Sequence, residues 1–136
     1  MRILFFDLEY ASCKNGCKIC EFGYVITNEK FEIIERNNLI INPYISNDEW
    51  DWWALKHILT RTKKEYEERL TFNKYYPKIK EIIESCDYVL GHSLNNDAKA
   101  LNDDSKDIIY QVLILIFTML NCFIKNTRIL KKKYQY

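Results

Sequence analysis

The sequence predicts an α/β domain. Three strand-like runs open the chain, helical patterning fills its middle, and a further short apolar run leads into another helix-like segment. Residues 2–7, RILFFD, form a continuous apolar run ending in an acid, the pattern of a strand buried on both faces. CEFGYVIT (residues 20–27) and FEIIERNNLIINP (31–43) are separated by NEK, which predicts a hairpin and hence three adjacent strands. Residues 47–72 are charged and aromatic, with helices expected around WWALKHIL and KKEYEERL. In PKIKEIIESC, Ile79, Ile82, Ile83 and Cys86 recur at helical spacing, and Pro77 fits the first turn of that helix. DYVLGH then predicts a short buried strand and NNDAKAL the start of a helix.

A chain of 136 residues is sized for one domain, and 48% hydrophobic with 29% charged residues is a globular balance. The formal net charge of +1 gives no whole-chain attraction for nucleic acid, so any such interaction has to rest on local sites. MRILFFDLEY lacks the basic region, apolar core and small-residue cleavage site of a secretory signal, which makes a cytoplasmic location the expectation. Five cysteines, an odd number, agree with that expectation.

Three of those cysteines, Cys13, Cys17 and Cys20 in CKNGCKIC, have the C-x3-C-x2-C spacing that can hold an iron-sulfur cluster. The chain has neither the length nor the repeated strand-helix pattern of the barrels that carry such clusters, and a zinc site would lack a local fourth ligand. With KNG as a turn signal and a strand directly after it, a connecting loop with incidental thiols is expected.

The acids offer more. Asp7 and Glu9 are two apart, so on a strand they share a face, and two adjacent carboxylates repel unless a cation lies between them. A solvated strand edge is the commoner meaning of such a pair, and context decides. Asp97 follows His92 across the turn from a strand into a helix, in GHSLNNDAKAL, where Asn95 or Asn96 suits the helix cap. Trp50, Trp52 and Trp53 could stack on bases, although packing is the commoner role of such side chains.

FFDLEY, CEFGYVIT and TFNKYYPKIKEIIESCDYVLGHSLNNDAKAL together resemble, in order and spacing, the first two sequence blocks of the DnaQ-like (DEDD) 3′-to-5′ exonucleases. The resemblance covers residues 1–106 and implies a ribonuclease H-like mixed sheet flanked by helices. It implies hydrolysis of phosphodiester bonds, of DNA more than RNA, with two Mg²⁺ or Mn²⁺ ions, one activating the attacking water and the other stabilising the leaving 3′ oxygen. Asp7, Glu9 and Asp97 would be the catalytic metal ligands, and Tyr10, Ala11 and His92 would meet the substrate. A nucleic-acid 3′ end is the implied partner, alongside a polymerase or a replication or repair protein.

The chain departs from that pattern in its last part. The family's third block, a histidine base followed by the last metal-binding aspartate, is missing: no histidine follows His92 and no aspartate follows Asp107. Residues 107–136 instead form a divergent segment, with an almost unbroken apolar run over 108–124 and a basic end. The Lys-, Asn-, Ile- and Tyr-rich composition implies A/T-rich codons, and a shifted reading after Lys106 can yield the better-patterned RYNLPSINFNFYDVKLFYKEY. The hypothesis is that 107–136 are a frameshift product; codons that do not permit the alternative frame dispose of it. The expected activity is accordingly weak or absent. The alternatives are a non-catalytic module binding nucleic-acid ends and a small tail-anchored membrane protein using the 108–124 run.

Overall fold

The computed structural model describes residues 1–91 together with 96, 97, 100 and 101. His92, Asn95 and the segment 107–136, on which several of the sequence expectations fall, lie outside the described residues.

Strands β1 (Ile3–Ser12), β2 (Lys18–Thr27) and β3 (Ile33–Ile40) form an antiparallel meander. Helices α1 (Trp52–His57), α2 (Lys63–Glu67) and α3 (Phe72–Glu84) follow, and β4 (Tyr88–Gly91) returns parallel to β1. The sheet order is β3-β2-β1-β4. This is the mixed α/β arrangement the sequence predicts.

Alternation along β1 separates its two faces. Leu4, Phe6 and Leu8 are buried, and their cross-strand partners Ile26, Tyr24 and Phe22 are buried on the same face. Onto this face pack Phe72, Tyr76, Ile79, Ile82 and Ile83 of α3. Each such side chain removed from water contributes about 2 kcal/mol. Ala100 and Leu101, both helical, complete the same cluster.

Four expectations are corrected. β1 does not stop at Asp7: it runs on to Ser12, so Asp7 and Glu9 sit inside a strand. Nor is it buried on both faces, since Phe5 is half-buried and Asp7 exposed. Helix α3 begins at Phe72, after the Thr71 cap position, which leaves Pro77 inside the helix. The missing proline N–H costs one helical hydrogen bond, but starting earlier brings Phe72 and Tyr76 onto the buried stripe with Ile79 and Ile83. β4 is likewise only half-buried, with Leu90 42% exposed.

The loop expected to carry incidental thiols is also different. Gly16, at φ 84°, supplies the left-handed residue that turns KNG back on itself, and Cys13 and Cys17 are joined in a disulfide across that turn. Cys20 lies in β2, fully buried, and its thiol donates to the Glu9 carbonyl at 3.4 Å. Two thiols bonded to each other and a third turned into the sheet exclude a three-thiolate cluster in this arrangement.

The hairpin at residues 28–32 is closed by Asn28, whose Oδ1 accepts from the Lys30 and Glu32 amides. β3 is an edge strand with an exposed polar centre, Glu35 to Asn38, which discourages pairing with another chain.

Candidate functional site

The site is assembled from the second half of β1 outward. Because Leu4, Phe6 and Leu8 are committed to the core, strand alternation sends Asp7 and Glu9 together to the opposite face. Directly after them the β1–β2 register slips: Glu9 faces Glu21, but Tyr10 faces Ile19. Cys20 is the extra residue, and such a bulge bends the ladder and re-aims neighbouring side chains.

Beyond the bulge, Tyr10 packs against the main core cluster and its hydroxyl donates to Asp97 Oδ1 at 2.9 Å. Asp97 is only 2% exposed. The three acids of the two sequence blocks are therefore brought into one neighbourhood, and they feel one another. Burial raises the Glu9 carboxyl above its ordinary pKa, and the charges of Asp7, Glu21 and Asp97 raise it further. Burial also pushes the Tyr10 phenol well up, helped by its hydrogen bond to Asp97 and by the surrounding acids. The phenol thus stays protonated and acts as a donor. Among the described residues, no group of three or more histidine, cysteine, aspartate or glutamate side chains is set in the geometry of a metal site.

Ala11, expected beside the terminal nucleotide, is fully buried, and its carbonyl accepts from the Asp51 amide at 2.9 Å. That bond docks the start of α1 against the strand that carries the acids. Asp51 also caps α1, its side chain accepting from the Trp53 and Ala54 amides. Trp50 is 1% exposed and packs with Ala11, Cys20 and Tyr66 in a second small core, so packing is its role, whereas Trp52 and Trp53 are 54% and 64% exposed. A pocket of about 340 Å³ at Lys18, Asn42 and the start of α3 is lined by none of Asp7, Glu9 and Asp97.

Glu21 was not among the expected site residues. It is the cross-strand partner of Glu9, 2% exposed, and it accepts from Asn38 Nδ2 at 2.5 Å, Thr60 N at 2.9 Å, Thr60 Oγ1 at 2.8 Å and the Tyr66 hydroxyl. Burial alone would raise its carboxyl, but the hydrogen bonds from Tyr66, Asn38 and Thr60 outweigh that and hold it below its ordinary value. A fixed negative charge thus stands behind Glu9. The signal for it was an acid inside the otherwise apolar run CEFGYVIT.

Comparison with protein-family models and with curated protein sequences gives no match. Among solved structures, the chain is similar to one describing the 3′-end specific recognition of a histone mRNA stem-loop by a 3′-exonuclease. The TM-score is 0.62 at 20% identity, with 77% of this chain and 40% of that chain covered. The fold is therefore that of a ribonuclease H-like α/β domain, a mixed sheet flanked by helices. The chain spans about two fifths of the length of that neighbour.

Proposed function

We propose that this chain engages the 3′ end of a nucleic acid and hydrolyses its terminal phosphodiester bonds weakly, with the help of divalent cations. The observation that carries this reading is the placement of Asp7 and Glu9 on one face of β1 with Asp97 held close by through Tyr10, on a ribonuclease H-like sheet. The donor chemistry fits Mg²⁺ or Mn²⁺, which take hard carboxylate oxygens, and a cation relieves the repulsion that raises Glu9. Asp7 and Glu9 are the proposed primary ligands and Asp97 the third. A bound divalent cation supplies an activated water near neutral pH and offsets the charge of the scissile phosphate.

The chain's own residues have narrower tasks. The Tyr10 hydroxyl orients Asp97, the Ala11 carbonyl anchors α1 beside the acids, and Glu21 keeps the local field negative. His92 is proposed to lie against the substrate. Within residues 1–136 no histidine follows His92 and no aspartate follows Asp107, so none of these side chains is assigned as the base that takes the water's proton.

A second reading is favoured by the same Tyr10–Asp97 bond, which occupies one oxygen of the third acid: a module that holds a 3′ end without cutting it. Incubation of labelled single-stranded DNA and RNA with and without Mn²⁺ separates the two. Mn²⁺-dependent retention with shortened product supports the exonuclease, retention without product supports the binding module, and the absence of both rejects the pair. The neighbour recognises the 3′ end of an mRNA stem-loop, whereas the sequence resemblance favours DNA, so both polymers belong in the assay. No helix among the described residues is long and apolar enough to cross a membrane, and the 108–124 run lies outside them.

A further inference from the structure

We infer that Trp52 and Trp53, on the exposed side of α1, form a stacking platform for the unpaired bases that precede the 3′-terminal nucleotide. The inference rests on the 3′-end reading above and adds to it a site for the bases. Three independent observations lead to it.

The first is the pair of rings itself. Two large apolar side chains at 54% and 64% exposure lie next to each other in sequence, one residue beyond a tryptophan that is 1% exposed. Burial of Trp50 against Tyr66, Ala11 and Cys20 accounts for Trp50 alone; it fixes the helix and leaves its two neighbours facing outward. Trp53 lies against the His57 ring, with centroids 5.1 Å apart, which restrains its position before any ligand arrives.

The second is place. The Asp51 amide is bonded to the Ala11 carbonyl at 2.9 Å, so the residue just before Trp52 touches β1 two positions beyond Glu9. At about 3.3 Å per strand residue, that contact is about 7 Å along the strand from the acid. A strand of nucleic acid whose end is held at the acids therefore passes α1 within its first few nucleotides.

The third is charge. Residues 52–64 contain Lys56, Arg61, Lys63 and Lys64 and no acid. Lys63 and Lys64 are partly offset by ion pairs with Glu67 and Glu68, while Lys56 shares α1 with the two tryptophans. Acids border the segment at Asp48, Glu49, Asp51 and Glu65, so Lys56, exposed on the same short helix as the two rings, is the cation placed to meet a phosphate while the rings take the bases. An exposed lysine beside exposed rings, close to the acids of β1, favours single-stranded nucleic acid over an apolar protein partner, for which the charge would be a hindrance.

The test uses the full 136-residue chain and short 5′-labelled single strands of matched DNA and RNA sequence, in Ca²⁺ to suppress cleavage, read by fluorescence anisotropy. Replacing both rings in the W52A/W53A variant is expected to weaken binding about tenfold, and W52F/W53F to hold within about twofold of the parent, because any aromatic face stacks. Oligonucleotides made abasic just before the terminal nucleotide should bind the parent about tenfold more weakly, with little further loss in W52A/W53A. The larger Trp-dependent loss among the two polymers identifies which is the natural ligand. Equal binding by parent and W52A/W53A, as expected if the rings serve a protein partner, overturns the inference while leaving the 3′-end reading intact. An abasic penalty of the same size in both proteins also overturns it, since the bases would then stack elsewhere. Absence of binding to either polymer by the parent overturns both the inference and the reading beneath it.

Discussion

The Tyr10 hydroxyl donates to Asp97 Oδ1 at 2.9 Å across 87 residues of sequence, and this bond joins the two acid-bearing blocks. A hydrogen bond to a charged acceptor contributes about 1.5–3 kcal/mol, less where water reaches it. Tyr10→Phe is therefore expected to destabilise the fold by about 1–2 kcal/mol in a urea titration. It should also weaken Mn²⁺ binding, by less than loss of the carboxylate itself, because Asp97 loses the donor that holds it near Asp7 and Glu9. Asp97→Asn should weaken Mn²⁺ binding.

Glu9 stands in a field of like charges, with burial adding to the cost of its ionised form. Its folded pKa lies above the unfolded value, so the ionised side chain destabilises the fold at neutral pH, and that penalty fades as pH falls through the folded pKa. Glu9→Gln removes the charge. The expected outcome at pH 7 is a melting temperature raised by a few degrees, together with loss of the further rise that Mn²⁺ gives the parent. Unchanged melting in both conditions would remove Glu9 from the account.

Glu21 behaves oppositely. Its folded pKa is lowered, so its contribution is full above the unfolded value and is lost as pH falls through the folded pKa. Acid unfolding of the parent should therefore steepen below about pH 4.5. Glu21→Ala strands the Tyr66 hydroxyl, the Asn38 amide and both Thr60 donors, and a loss of about 3 kcal/mol or more is expected in the same urea titration at pH 7. The variant should also lose much of its pH dependence in the acid range.

The Cys13–Cys17 disulfide closes a loop of only five residues, and the chain-entropy relation gives such a closure about 2 kcal/mol. Reduction, or Cys13→Ser with Cys17→Ser, should lower unfolding stability by about that amount or less. Free-thiol titration of the native chain in a reducing buffer should report whether the bond opens under the conditions of a reducing compartment.

Much of this was legible in the sequence because it depends on local pattern. Period-two alternation placed Asp7 and Glu9 on one face, and the three opening strands and β4 follow from short apolar runs between turn signals. Asp97 was reached only through a resemblance, since nothing local links it to β1. Its partner Tyr10 could not be found by spacing at all, because the bond depends on how a distant helix lands on the sheet. Pro77 misled for a physical reason: it suits a first turn, yet burial of Phe72 and Tyr76 extends the helix past it. The three tryptophans read alike in sequence, and only the Asp51–Ala11 contact and the seat of Trp50 against Tyr66 divide one core residue from two exposed ones. Glu21 was overlooked because its four donors come from β3, from Thr60 and from α2, none of them its neighbours in the chain.

The most direct test is a time course with a 5′-labelled single-stranded oligonucleotide, Mn²⁺ and the purified chain, with Asp7→Ala prepared in parallel. Slow, stepwise shortening from the 3′ end by the parent and none by Asp7→Ala, on DNA, RNA or both, is the expected result. Shortening at the same rate by both proteins, or a folded parent that neither shortens nor retains the strand, would contradict it.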